Sequence, residues 1–87
     1  MTYRYRLTDA QTDKLLSGHS FFTKEEIAQI EIEPCDDPDK MFEDDWWCIH
    51  RYDTISDTPV DCADEAEARM YLMDALNFSI FDRIHNL

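Results

Sequence analysis

Hydrophobic and polar residues alternate at the start of the chain. One face of an extended segment would carry Tyr3, Tyr5 and Leu7, and the other face Arg4 and Arg6. A period of two is typical of a strand that buries one of its faces. The pattern therefore predicts a half-buried strand from Thr2 to Leu7.

A capping box predicts a short helix directly after this strand. Thr8 stands at the N-cap and Gln11 at the third helical position, so each side chain can hydrogen-bond the backbone N–H of the other. Gly18 then supplies a helix stop. We expect this helix to extend from about Asp9 to Ser17.

A second capping box, Thr23 with Glu26, predicts one or two further turns of helix. Beyond them the period changes, because isoleucines alternate with Glu31 and Glu33 up to Pro34. This alternation predicts a strand that exposes its glutamates.

The middle of the chain is expected to form turns and strands. A turn is predicted over residues 36–40, where aspartates flank Pro38. A strand is predicted from Trp46 to Asp53, and its large side chains on both faces indicate an interior position in the sheet. A turn before Pro59 then leads to a short returning strand from Val60 to Cys62.

The last third of the chain has helical spacing. From about Asp64 onward, apolar residues recur at steps of three and four, and three early acids favour a helix N-terminus. A break near Asn77 into two helices is the alternative. Together the elements predict one α+β domain over residues 1–87. It would contain a mainly antiparallel sheet of about three or four strands, a short N-terminal helix and a main C-terminal helix.

The acidic residues are concentrated in one stretch. Fourteen of the twenty acids lie between Glu31 and Glu67, where the only basic residues are Lys40 and Arg51, so this stretch carries the whole formal net charge of −12. Such a charge attracts a cationic partner and repels nucleic acid and anionic membranes. We therefore expect a partner protein with a basic nucleic-acid-binding surface, and no direct binding to nucleic acid or membrane.

The sequence lacks the signals of secreted, membrane-spanning, disulfide-stabilised and calcium-binding proteins. It begins without the apolar segment of a signal peptide, no window could span a bilayer, and three cysteines are an odd number for a disulfide framework, which together favour the cytoplasm. The acidic turns lack the glycine and glutamate register of a calcium loop. No catalytic motif stands out, so we expect a non-enzymatic protein without a cofactor.

A small metal-binding domain is one alternative. Its four ligands would be Cys35, Cys48, His50 and Cys62. These residues lack the closely spaced cysteine or histidine pairs of a structural zinc site. The sequence therefore favours free cysteines in the core over a metal site.

The candidate partner-binding residues are acids together with two tryptophans. Carboxylates on strand edges and turns can stand in for phosphates, and a globule about 30 Å across would displace duplex DNA carrying on the order of 18 charges. Aromatic residues beside carboxylates are good interface anchors. The candidates are Glu31, Glu33, Asp36, Asp37, Asp39, Glu43, Asp44, Asp45, Trp46 and Trp47.

The acids of this small chain form short runs, such as Glu43-Asp-Asp and Asp36-Asp-Pro-Asp. In size, single-domain character and clustered acids, the chain resembles the small inhibitors that phages encode against host nucleases, the anti-CRISPR and anti-restriction DNA-mimic proteins. The resemblance implies a phage protein that occludes a DNA- or RNA-binding surface of a CRISPR effector or restriction enzyme. An acidic regulatory subunit or antitoxin that binds one basic protein is the other interpretation.

Overall fold

The structure is a computed structural model that describes residues 1–17, 21–51 and 58–85, with residues 78–85 described by their backbone alone. The elements in these ranges are β1 (Tyr3–Arg6), α1 (Asp9–Ser17), α2 (Lys24–Ala28), β2 (Glu31–Pro34), β3 (Trp47–Cys48) and α3 (Glu65–His85). The predicted α+β class is confirmed. None of the helices in these ranges is long and apolar enough to cross a membrane.

The three strands form an antiparallel sheet with β1 in the centre. β2 lies on one side of β1, with Arg4 opposite Glu33, and β3 lies on the other side, with Arg4 opposite Cys48. The prediction that the segment from Trp46 is an interior strand is therefore wrong for its described part. Tyr52 and Asp53, at the end of the predicted strand, lie outside the described residues, as does Gly18.

Two hydrophobic clusters pack against opposite faces of this sheet. In the main core, Tyr3 of β1 packs with Ile27 of α2 and Leu72 of α3. The smaller cluster consists of Cys35, Met41 and Cys48. Because successive side chains of a strand point to opposite faces, the loop between β2 and β3 covers the face that is turned away from the helices.

These two clusters explain why the segment after Trp46 is apolar on both sides. Cys48 belongs to the smaller cluster and its neighbour Ile49 to the main core. The predicted returning strand is not regular, but it docks here: the Val60 N–H donates to the carbonyl of Ile49 at 2.9 Å. Apolar residues on both faces therefore do not require an interior strand.

Both predicted capping boxes are present. At α1, the Thr8 N–H donates to Gln11 Oε1 at 2.7 Å, and the Gln11 N–H donates to Thr8 Oγ1 at 3.2 Å. Thr23 and Glu26 make the same reciprocal bonds at α2, at 3.0 and 3.2 Å. Each box supplies hydrogen-bond partners for N–H groups that a helix start leaves unpaired.

The helix α3 continues through Asn77 without the break that was the alternative. The Asn77 side chain reaches the segment before α2, where its Oδ1 accepts from the Phe22 N–H at 2.8 Å and its Nδ2 donates to the Phe22 carbonyl at 3.0 Å. Phe22 is only 1% exposed. Asparagine is a weak helix former, but here it satisfies both backbone groups of a core residue.

Replacing Asn77 by alanine should therefore lower the free energy of unfolding by about 2 kcal/mol, although alanine is the better helix former. Asn77→Asp should not avoid this loss, because its second carboxylate oxygen would face the Phe22 carbonyl without a proton to donate. Urea denaturation measures both variants. Met70→Ala, at an exposed position of the same helix, is the control; an equal effect of the two alanine variants would contradict the assigned role.

Candidate protein-interaction surface

Residues 35–46, here called the acidic loop, cover the side of the sheet opposite the main core and carry exposed carboxylates. The loop has six acids against Lys40, and all six are exposed: Asp36, Asp37, Asp39, Glu43, Asp44 and Asp45. Its underside is apolar, because Cys35 and Met41 are buried against the sheet. The loop is thus folded onto the sheet, with its charges turned to solvent.

Arg4 fastens the acidic loop to β1 and β2. Its Nε donates to Glu33 Oε1 at 2.8 Å, its Nη2 donates to the same oxygen, and its Nη1 donates to the carbonyl of Lys40. Its Cζ lies 4.2 Å from the centroid of the Trp46 ring. The bond to Glu33 raises the pKa of Arg4 above its usual value and outweighs the lowering effect of desolvation.

Arg6 makes a similar contact two residues further along β1. Its Nη2 donates to Glu31 Oε2 at 2.7 Å, and its Cζ lies 4.6 Å from the centroid of the same Trp46 ring. Trp46 is consequently only 6% exposed. Of the predicted binding residues, Glu31 and Glu33 therefore have their charges offset within the fold, and Trp46 is not a surface anchor.

Among the described side chains, the exposed aromatic residues are Phe21, Phe42 and Trp47, and the last two lie in or directly after the acidic loop. Trp47 is 57% exposed and pairs with Tyr5, which places it on the sheet face opposite the acidic loop. Phe42 is 47% exposed and lies within the loop, next to Glu43. Phe42 is not among the predicted binding residues, although an aromatic residue in a run of acids was an available signal.

A tight turn ends the acidic loop and leads into β3. The Trp46 N–H donates to the carbonyl of Glu43 at 2.9 Å, and the two residues between them have positive φ angles, 47° at Asp44 and 69° at Asp45. Positive φ at both central positions is a feature of type I′ turns, in which aspartate is one of the favoured residues. The turn therefore depends on the residue types at these two acidic positions.

Acids from another segment approach the same end of the sheet. Burial raises the pKa of the Tyr3 hydroxyl, and the carboxylates of Asp64, Glu65 and Asp36 raise it further. Asp36 belongs to the acidic loop, whereas Asp64 and Glu65 lie at the start of α3. Tyr3 therefore lies near acids of both segments.

The residues of the zinc alternative are not brought together. Cys35 and Cys48 lie in the smaller cluster, whereas Cys62 lies in the main core on the other face of the sheet. Within the described ranges, no group of three or more His, Cys, Asp or Glu residues is arranged to hold a metal ion. The geometry gives this alternative no support.

Comparison with known proteins covered families, curated sequences and solved structures. No family model, curated protein or solved structure matches this chain. The chemistry available at the surface is that of carboxylates, which attract cations and accept hydrogen bonds from lysine and arginine.

Proposed function

We propose that the chain is a non-enzymatic binding protein whose acidic loop occupies a basic, nucleic-acid-binding surface of a host defence complex and so excludes nucleic acid. The observation that carries this proposal is the attachment of the loop by Arg4 to the sheet, while the six acids of the loop remain exposed. A phage protein acting in the cytoplasm of its host is the setting that fits this function.

Attachment of the acidic loop to the sheet distinguishes a mimic of nucleic acid from an acidic surface that only confers solubility. Solubility depends on the number of charges, whereas a mimic needs its carboxylates at defined positions. The Arg4 bond to the Lys40 carbonyl and the burial of Met41 hold the loop at two points, and Asp37 Oδ1 accepts from the Asp39 N–H at 2.9 Å. A preorganised loop loses less conformational entropy on binding.

The amount of charge is also comparable to that of duplex DNA. The molecule is 36 Å long. Duplex DNA of that length carries about 21 charges, so a formal net charge of −12 is of the same order. Contact with lysines and arginines would release counterions from both surfaces, which favours association at low salt. Phe42 would add an apolar contact among the charges.

A test uses purified CRISPR effector complexes and restriction endonucleases, each incubated with the protein before duplex DNA is added. We expect at least one of them to lose DNA binding, and its affinity for the protein to fall about 100-fold or more between roughly 50 and 300 mM salt. A complex whose affinity does not change with salt, or which still binds DNA, would favour the regulatory subunit or antitoxin interpretation.

A further inference from the structure

A groove of about 410 Å³ lies between α1 and β3. Its volume is within the range of small-ligand sites, about 300 to 1,000 Å³. It combines apolar and aromatic side chains with two carboxylates, and its main lining residues are Tyr5, Leu7, Leu15, Trp47, Asp9 and Asp45. Asp45 belongs to the acidic loop, so the groove and the proposed binding surface share this residue.

The groove has an exposed indole and two acids, but no described cation lies over Trp47. The cation–π contacts of the described residues are made by Arg4 and Arg6 with Trp46, and by Lys14 with Phe22. Trp47 therefore presents an aromatic surface to solvent beside the carboxylates.

On the other face of the sheet, an indole and a carboxylate are already in contact with a cation. There the Arg4 guanidinium lies over the Trp46 ring and is hydrogen-bonded to Glu33. An indole with a neighbouring carboxylate thus already holds a guanidinium in this protein. The groove offers the same two groups at Trp47 and Asp45.

We infer that this groove binds one arginine side chain of the basic partner, an inference that rests on the proposed function for the partner being a basic protein. The guanidinium stacks on Trp47 and pairs with Asp45 or Asp9, and the methylene groups pack against Leu15. Arginine is preferred to lysine because a planar guanidinium stacks on an indole and forms two parallel hydrogen bonds to a carboxylate.

The charge of the groove comes from its carboxylates alone. Burial raises the pKa of Tyr5 to about 12, and the neighbouring Cys48 adds to the shift. Tyr5 is therefore neutral at physiological pH and contributes an aromatic wall. Asp9 and Asp45 provide the attraction for a cation.

The test uses three blocked glycine peptides that differ at one central residue: arginine, lysine or citrulline, which has nearly the shape of arginine without its charge. NMR spectra at physiological salt report the indole N–H signals, with Trp47→Phe assigning the Trp47 signal and Trp46 serving as an internal reference. The arginine peptide should shift the Trp47 signal saturably and bind several-fold more tightly than the lysine peptide. The citrulline peptide should have no effect.

Asp9→Asn and Asp13→Asn form a matched pair, because both remove one charge from α1 and only Asp9 lines the groove. Asp9→Asn should lower the affinity for the arginine peptide about threefold or more, and Asp13→Asn should leave this affinity unchanged. Equal effects of the two variants, equal binding of the lysine and arginine peptides, or an unmoved Trp47 signal would overturn the inference.

The groove and the proposed function can fail separately. The peptide measurement needs no partner, so a positive result stands even if no defence complex is inhibited. Conversely, Trp47→Ala tests the groove within a partner complex: unchanged partner affinity together with continued exclusion of DNA would reject the groove and leave the proposed function in place.

Discussion

Replacing Arg4 by alanine is expected to lower the free energy of unfolding by about 3 kcal/mol and to detach the acidic loop from the sheet. The Arg4 side chain is 12% exposed, bonds Glu33 and the Lys40 carbonyl, and stacks on Trp46. Its loss removes all of these contacts together. This loss of free energy is at the lower end of the range for breaking a buried ion pair, because Glu33 is 42% exposed and water can reach its carboxylate.

Arg6→Ala is the matched control, since Arg6 also stacks on Trp46 and pairs with a glutamate of β2. Arg6 and Glu31 are 40% and 54% exposed, so their ion pair should contribute about 1 kcal/mol or less. Urea denaturation measures both variants, and hydrogen exchange reports the amides of the acidic loop. If Arg6→Ala costs as much as Arg4→Ala, or loop amides stay protected in Arg4→Ala, Arg4 does not anchor the loop.

Reversing two charges of the acidic loop is expected to weaken partner binding by a factor of about 100 or more, because like charges facing a basic surface cost several kcal/mol. Asp39→Lys combined with Glu43→Lys is the suitable variant. Both residues are exposed, and neither has the positive φ of Asp44 and Asp45, so lysine introduces no backbone strain there. A melting curve should show a folded protein, since exposed substitutions usually change stability by about 0.5 kcal/mol or less.

The matched control reverses Asp13 and Glu25, which are exposed on α1 and α2. It changes the net charge by the same amount on residues outside the acidic loop. We expect it to reduce affinity only slightly, through long-range attraction that salt screens. Equal losses of affinity in the two variants would show that the partner responds to total charge, and the mimicry proposal would then fail.

The parts of the fold that the sequence predicts well depend on short-range interactions. The capping boxes at Thr8 and Thr23 each involve residues three positions apart, and both helix starts are confirmed. The alternation over Tyr3–Arg6 likewise depends only on the period of a strand. Such signals need no knowledge of the rest of the fold.

The candidate site was harder to predict because it depends on strand register. Arg4 and Arg6 reach Glu33 and Glu31 only because β1 and β2 pair in one antiparallel register. The sequence alone does not show which glutamates of the acidic stretch are paired within the fold and which are free surface charges. The structure separates two glutamates paired within the fold from six exposed acids of the loop.

Two questions that the sequence left open, which tryptophan is buried and whether the last helix breaks, also depend on non-local contacts. Adjacent tryptophans face opposite sides of an extended segment, and Trp46 is the covered one because the guanidinium groups of Arg4 and Arg6 lie over its ring. Asn77 suggested a helix break because its partner, Phe22, lies 55 positions away. Secondary-structure propensity, which depends on neighbouring residues, predicts neither of these contacts.

Competition between the protein and duplex DNA for one purified partner tests the central claim most directly. If the acidic loop occupies a nucleic-acid-binding surface, the two ligands exclude each other, and the apparent Kd of the protein rises in proportion to DNA concentration once DNA exceeds its own Kd. A ternary complex containing protein, partner and DNA, with a Kd for the protein that DNA does not change, would contradict the claim.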